Sequence, residues 1–96
     1  MAAQSFDDRD GWIWLDGEFI PHRDARVHVL THAMHYASAV FEGERAYDGA
    51  IFKSREHSER LHTSAKLLGF QLPYSAEEID RAKAELVSRQ KTPNCY

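Results

Sequence analysis

The chain has a single cysteine, only three prolines, and no apolar run longer than a few residues. Cys95 alone cannot close an internal disulfide, which leads to the expectation of a reducing, cytoplasmic compartment. The apolar runs are too short for a membrane-spanning helix or a signal peptide, so no membrane partner is expected. An excess of positive charge is also missing. Lys and Arg number 12 against 15 Asp and Glu, a net charge of −3, and a dedicated nucleic-acid binder usually shows a strong basic patch. Nucleophilic catalysis finds little support. There is no Gly-x-Ser-x-Gly elbow and no phosphate-cradling glycine loop, and Cys95 has no adjacent cation to lower its pKa. Internal repeats and low-complexity segments are absent as well.

What is present fits one small globular domain. The chain has 96 residues, 43% hydrophobic and 28% charged, enough for one modest core. Residues 1–11 are polar and charge-rich and are expected to be a flexible N-terminus, with a domain over 12–96. Trp12 to Leu15 and Glu18 to Ile20 flank Asp16-Gly17, a signal for a hairpin closed by a type I′ turn, and Pro21 ends the second strand. Thr31 can cap one or two helical turns through Tyr36. Asp48-Gly49 repeats the hairpin signal between a strand over Val40 to Tyr47 and a return over Ala50 to Lys53. Ser54 is a candidate N-cap for a helix ending near Leu68, with Leu61, Ala65 and Leu68 on one face and Gly69 at its C-terminal end. Ser75-Ala76-Glu77-Glu78 has the capping-box pattern for a second helix burying Ile79, Ala82 and Leu86. Strands followed by helices predict an α+β fold: an antiparallel sheet built from β-hairpins with two helices packed on one face.

The stretch with most chemistry is Val40 to Tyr47. As a strand, it places Phe41, Gly43, Arg45 and Tyr47 on one face and Val40, Glu42, Glu44 and Ala46 on the other. An aromatic wall, an open glycine, a guanidinium and a phenol suit the lining of a small-molecule site. An ordinary half-exposed strand with a snorkelling arginine would carry the same pattern. Arg60 has two readings too. It is either a helix-surface partner of Glu56 at i−4, or a guanidinium free to bind phosphate. His28, His32 and His35 have spacings that align on a helix, but Val27-His28-Val29 alternates like a strand, so no metal site is assigned. His57 and His62 fall among charges and read as solvated.

Several of these residues together resemble a family. His32-Ala33-Met34-His35-Tyr36, Val40-Phe41-Glu42-Gly43, Arg45-Ala46-Tyr47, Arg55-Glu56-His57 and Arg60-Leu61 are very similar, in this order, to the branched-chain aminotransferases, pyridoxal-phosphate enzymes of fold type IV. The resemblance covers about Trp12 to Tyr96. D-amino-acid aminotransferases and aminodeoxychorismate lyases share the Phe-Glu core but usually carry Gly-Asp-Gly before it and lack the Gly-x-Arg-x-Tyr continuation. A non-catalytic α+β interaction module that retains the motifs is the alternative from another class.

The resemblance implies that Arg60 binds the phosphate of pyridoxal 5′-phosphate and that Phe41, Gly43 and Arg45 line the substrate pocket. It also implies that Tyr36 reaches into the neighbouring subunit's site and that Tyr96 lies at the substrate carboxylate. Transfer of an amino group between leucine, isoleucine or valine and 2-oxoglutarate, by a homo-oligomer of two or more subunits, follows from the same resemblance. Three departures stand out: Ala37 where glycine is usual after Tyr36, Glu44 where an aliphatic residue is common, and His22 where tryptophan is common. Enzymes that look like this carry the Schiff-base lysine in a second domain. Lys53, Lys66 and Lys91 sit at a strand end, a helix surface and a turn, and Lys83 is expected to snorkel to water. The expectation is therefore a small N-terminal domain truncated before the cofactor-binding domain, with no catalytic lysine, no stable hold on the cofactor and no activity alone.

Overall fold

A computed structural model describes residues 5–96. The expected flexible segment therefore lies partly, at residues 1–4, outside the described residues. Residues 5–11 make specific contacts. Arg23 pairs with Asp8 at 2.8 Å and Asp10 at 2.5 Å, and the His22 ring meets the Phe6 carbonyl at 2.6 Å.

Strand β1 (Trp12–Leu15) pairs antiparallel with β2 (Glu18–Pro21), and β3 (Ala46–Tyr47) pairs antiparallel with β4 (Ala50–Ile51). Between the hairpins lie a single 3₁₀ turn over His22–Asp24 and a short helix, α1 (His32–Tyr36). Two longer helices follow, α2 (Ser54–Leu67) and α3 (Ala76–Gln90). Both Asp-Gly turns have positive φ at each central residue, 51° and 88° at Asp16-Gly17 and 50° and 85° at Asp48-Gly49. This is the type I′ geometry that follows the strands' own twist.

The α+β layout of hairpins and helices is the one expected, but the hairpins form two separate two-stranded sheets, not one. The expected strand from Val40 contracts to Ala46–Tyr47. Its alternation survives without the ladder. Residues 41, 43, 45 and 47 are exposed, while Val40, Glu42 and Glu44 are half-buried and Ala46 is buried. Period-two patterning reports which side chains point inward, and a strand also needs a neighbour to hydrogen-bond. At Ala46 that neighbour exists on both sides. Its N–H donates to Cys95 at 2.8 Å and Cys95 N–H returns the bond at 3.2 Å, so Cys95 bridges β3 on the edge opposite β4.

The helices meet through small side chains. Ser58 and Ala65 of α2 and Ala82 of α3 are buried, with Ala46 of β3. Such residues let the helix backbones approach closely. Ser58 replaces Leu68 in the expected apolar stripe, because Leu68 falls at the helix end and is exposed. There Gly69, at φ 89°, closes a Schellman motif: its N–H donates to Lys66 and the Phe70 N–H to Ala65, both at 3.0 Å. At its other end, α2 is not capped by Ser54. Lys53 takes the cap position in the left-handed region, and the Ser54 hydroxyl donates to Asp80 on α3 at 3.1 Å. Thr31 likewise donates to the His28 carbonyl and makes no side-chain cap on α1.

Helix α3 begins with a complete capping box. Glu78 N–H donates to Ser75 Oγ at 3.1 Å, and Ser75 N–H to Glu78 Oε1 at 3.2 Å. It packs against both α2 and β1. The Gln90 side-chain amide clasps the Trp12 backbone from both sides, at 2.9 and 3.1 Å. Arg89 lies over the rings of Trp12 and Phe19, and Trp14 meets Tyr74 edge-on at 4.8 Å.

Candidate functional site

The outward row and the inward row of residues 40–47 have different chemistry. On the outward side, Phe41 is almost fully exposed. A Cβ built on Gly43 would collide with the Tyr96 hydroxyl, so the glycine is what lets that phenol approach the backbone. Arg45 lies 5.5 Å over the Tyr47 ring. The structure thus brings Gly43 and Tyr96 together and leaves Phe41, Gly43, Arg45 and Tyr47 on one open surface. Tyr36 belongs to another element. It ends α1, is exposed, and packs its ring against His32 at 4.7 Å.

The inward row is an electrostatic anchor. The Glu42 side chain is only 7% exposed, whereas that of Arg60 on α2 is 65% exposed. Arg60 grips the carboxylate with two parallel donors, Nε to Oε2 at 2.8 Å and Nη2 to Oε1 at 2.6 Å. His57, one helical turn earlier, meets Oε1 at 2.5 Å through Nδ1. The hydrogen bonds from Arg60, and then from His57, hold the Glu42 carboxyl down at about 2 although burial opposes them. Arg60 is raised in turn by the same carboxylate.

Three expectations are corrected here. The ion-pair partner of Arg60 is Glu42, because Glu56 turns to Lys53 at 3.4 Å. His57 is not solvated, and His62 has its Nε2 buried with no partner among the described residues. Finally, Lys83 does not snorkel out of the fold, and its side chain is only 17% exposed. It donates to Glu44 Oε1 at 2.7 Å and the Ser54 carbonyl at 2.9 Å, with Asp80 3.4 Å away. Burial pushes the Asp80 carboxyl up, but hydrogen bonds from Ser58, Ser54 and Lys83 outweigh it and leave it lowered. The inward carboxylates Glu42 and Glu44 are the residues that sequence reasoning missed. Their signal was the period-two pattern itself, which put both on the face shared with Val40 and Ala46.

The other two departures also have a place. Ala37 follows α1 in the left-handed region at φ 56°, a conformation that glycine adopts without strain. Glu44 stands on the inward row with its charge matched by Lys83. The remaining lysines are at the surface. Lys53 caps α2 beside Glu56, Lys66 lies exposed on α2, and Lys91 ends α3.

The stretch that carries the outward row and the carboxylate-held arginine, residues 39–96, matches the amino-transferase class IV family, and the chain belongs to that family. Within it, the similarity is to branched-chain enzymes. The Rickettsia typhi "probable branched-chain-amino-acid aminotransferase" is 48% identical over 85 residues, and the Pseudomonas aeruginosa branched-chain-amino-acid aminotransferase is 47% identical over 96. These alignments cover 88% and 96% of this chain but 30% and 31% of the relatives. The crystal structure of the Escherichia coli branched-chain amino acid aminotransferase matches with a TM-score of 0.84 at 38% identity, covering 90% of this chain and 30% of that one. The T.th. branched-chain amino acid aminotransferase, complexed with N-(5'-phosphopyridoxyl)-L-glutamate, matches at 0.86 and 42%, covering 92% and 31%. The chain thus spans about 30% of the length of the relatives it matches.

Proposed function

We propose that this chain supplies the phosphate arm and one substrate wall of a pyridoxal 5′-phosphate-dependent aminotransferase, exchanging amino groups between branched-chain amino acids and 2-oxoglutarate. The observation that carries this reading is Arg60. Its Nε and Nη2 are engaged by Glu42, its Nη1 has no partner among the described residues, and its side chain remains largely exposed. A guanidinium held on one edge and open on the other fits a phosphate. The phosphopyridoxyl-glutamate bound by the T.th. relative supports both the cofactor and an acidic amino-acid partner.

The cofactor, when bound, supplies the electron sink for bond-breaking at the substrate's α-carbon. The chain's own residues bind and orient. Phe41 gives an apolar wall that sheds water from a leucine-like side chain, and Gly43 lets the Tyr96 hydroxyl close against the backbone beside it. Arg45 and the Tyr96 hydroxyl are placed to grip carboxylate groups. Tyr36, exposed at the end of α1, serves the neighbouring subunit's site in a cytoplasmic homo-oligomer. No helix among the described residues is long and apolar enough to cross a membrane. The lysine that links the cofactor is assigned to a second, cofactor-binding domain, and residues 12–96 to the small domain.

Arg60→Ala tests the reading in the complete enzyme. Stranding the nearly buried Glu42 carboxylate lowers stability and so weakens pyridoxal 5′-phosphate and pyridoxal alike, so the expected result is a further fall confined to the phosphorylated ligand. Unchanged affinity would remove Arg60 from the site.

A further inference from the structure

The structure assigns Glu42 a positioning role: with His57 behind it, this carboxylate fixes the Arg60 guanidinium so that its Nη1 edge is presented to the cofactor phosphate. The inference rests on the proposed phosphate role of Arg60 and adds the group that aims it.

The geometry is that of a bracket. Glu42 is nearly buried while its arginine is not, so the carboxylate is the fixed member of the pair. It is itself oriented twice, by the inward register of residues 40–46 and by the His57 Nδ1 contact. His57 and Arg60 are three residues apart on α2, so one helix face delivers both donors to one carboxylate. A free arginine has several soft torsions to lose when it binds an anion. Here the Nε and Nη2 contacts have already taken that loss, and the anion meets a donor edge of set direction.

An opposing effect must be weighed. Glu42 is an anion beside an anion site, and removing its charge relieves repulsion toward a phosphate. With Arg60 gripping Glu42 through Nε and Nη2 and the phosphate placed at its Nη1 edge, the guanidinium's positive charge lies between the two anions and offsets that repulsion. The ordering of a long side chain is worth about tenfold in affinity and prevails.

The test compares pyridoxal 5′-phosphate with pyridoxal, which lacks the phosphate, binding to the complete enzyme. Glu42→Gln should weaken the phosphorylated ligand about tenfold and leave pyridoxal unchanged, whereas general damage to the fold would weaken both. His57→Gln, which leaves Arg60 and Glu42 in place, should act in the same direction to a smaller degree. If Glu42→Gln fails to fold, His57→Gln decides: a loss confined to pyridoxal 5′-phosphate supports the inference, and an equal loss for both ligands or no loss overturns it. Added to Arg60→Ala, Glu42→Gln should have no further phosphate-specific effect, because the two act as one unit. The inference is overturned if Glu42→Gln weakens both ligands equally, leaves both unchanged, or tightens pyridoxal 5′-phosphate at low salt. In those cases a phosphate-specific loss in Arg60→Ala leaves the proposed function standing. No loss in Arg60→Ala would overturn the phosphate assignment itself.

Discussion

Single residues here answer to two demands, conformation and charge. Ala37 occupies a left-handed position that costs an L-residue roughly 1–2 kcal/mol. Ala37→Gly should therefore raise stability by about 0.5–1 kcal/mol after the entropy of glycine is subtracted, measured as a shift in denaturation midpoint with an unchanged slope. No change or a loss would mean that the αL cap of α1 is not under strain. Glu42 sets a pH dependence. Its folded pKa, about 2, lies below the ordinary 4.5, so its contribution is complete above about 4.5 and disappears as pH falls toward 2. The stability difference between wild type and Glu42→Gln should accordingly be constant from pH 7 to 5 and shrink below that. Much of this was legible beforehand. The inward position of Glu42 followed from alternation, but its partner did not, because Arg60 has an equally good candidate at i−4 in Glu56 and only the tertiary fold decides between them.

Among the elements, the turns were the most readable, because Asp-Gly pairs can supply two successive positive φ angles at little cost. The capping box of α3 was readable for the same local reason. The strand from Val40 was not, since its length depends on a neighbour that no local pattern encodes. The α2–α3 contact was half readable. Ala65 and Ala82 lay on the expected stripes, but the polar network through Ser54, Ser58, Asp80, Lys83 and Glu44 did not show in hydrophobic periodicity. That network yields a prediction. Glu44→Leu strips Lys83 of one partner in a half-closed site and should destabilise by about 1–3 kcal/mol. Lys83→Met in the same chain should recover much of the loss, and a double-mutant cycle on denaturation midpoints measures the coupling. Additive effects would show that the Glu44–Lys83 contact at 2.7 Å contributes nothing specific.

At the scale of the whole molecule, the apolar surface is unevenly covered. Val27, Val29, Leu30, Met34, Tyr36 and Phe41 are all more than half exposed, whereas the buried core consists of small side chains. Six large apolar residues open to water exceed the scattered exposure of an ordinary monomer. The 96-residue chain by itself is expected to self-associate, and sedimentation across a range of concentrations checks this. A strictly monomeric species would show that these side chains are tolerated in water. The family was legible from ordered motifs, and its members' names point to amino transfer. The outward row of residues 41–47 is proposed as a wall of that reaction's substrate site. Amino transfer from leucine to 2-oxoglutarate by the complete enzyme, with wild type and Gly43→Val compared at saturating pyridoxal 5′-phosphate, tests it most directly. Turnover is expected in the wild type and, in the variant, a loss of more than tenfold in kcat/KM with cofactor affinity retained, because valine displaces the Tyr96 hydroxyl from its place against the backbone. Full activity with valine at position 43, or no transfer by the wild type, would contradict it.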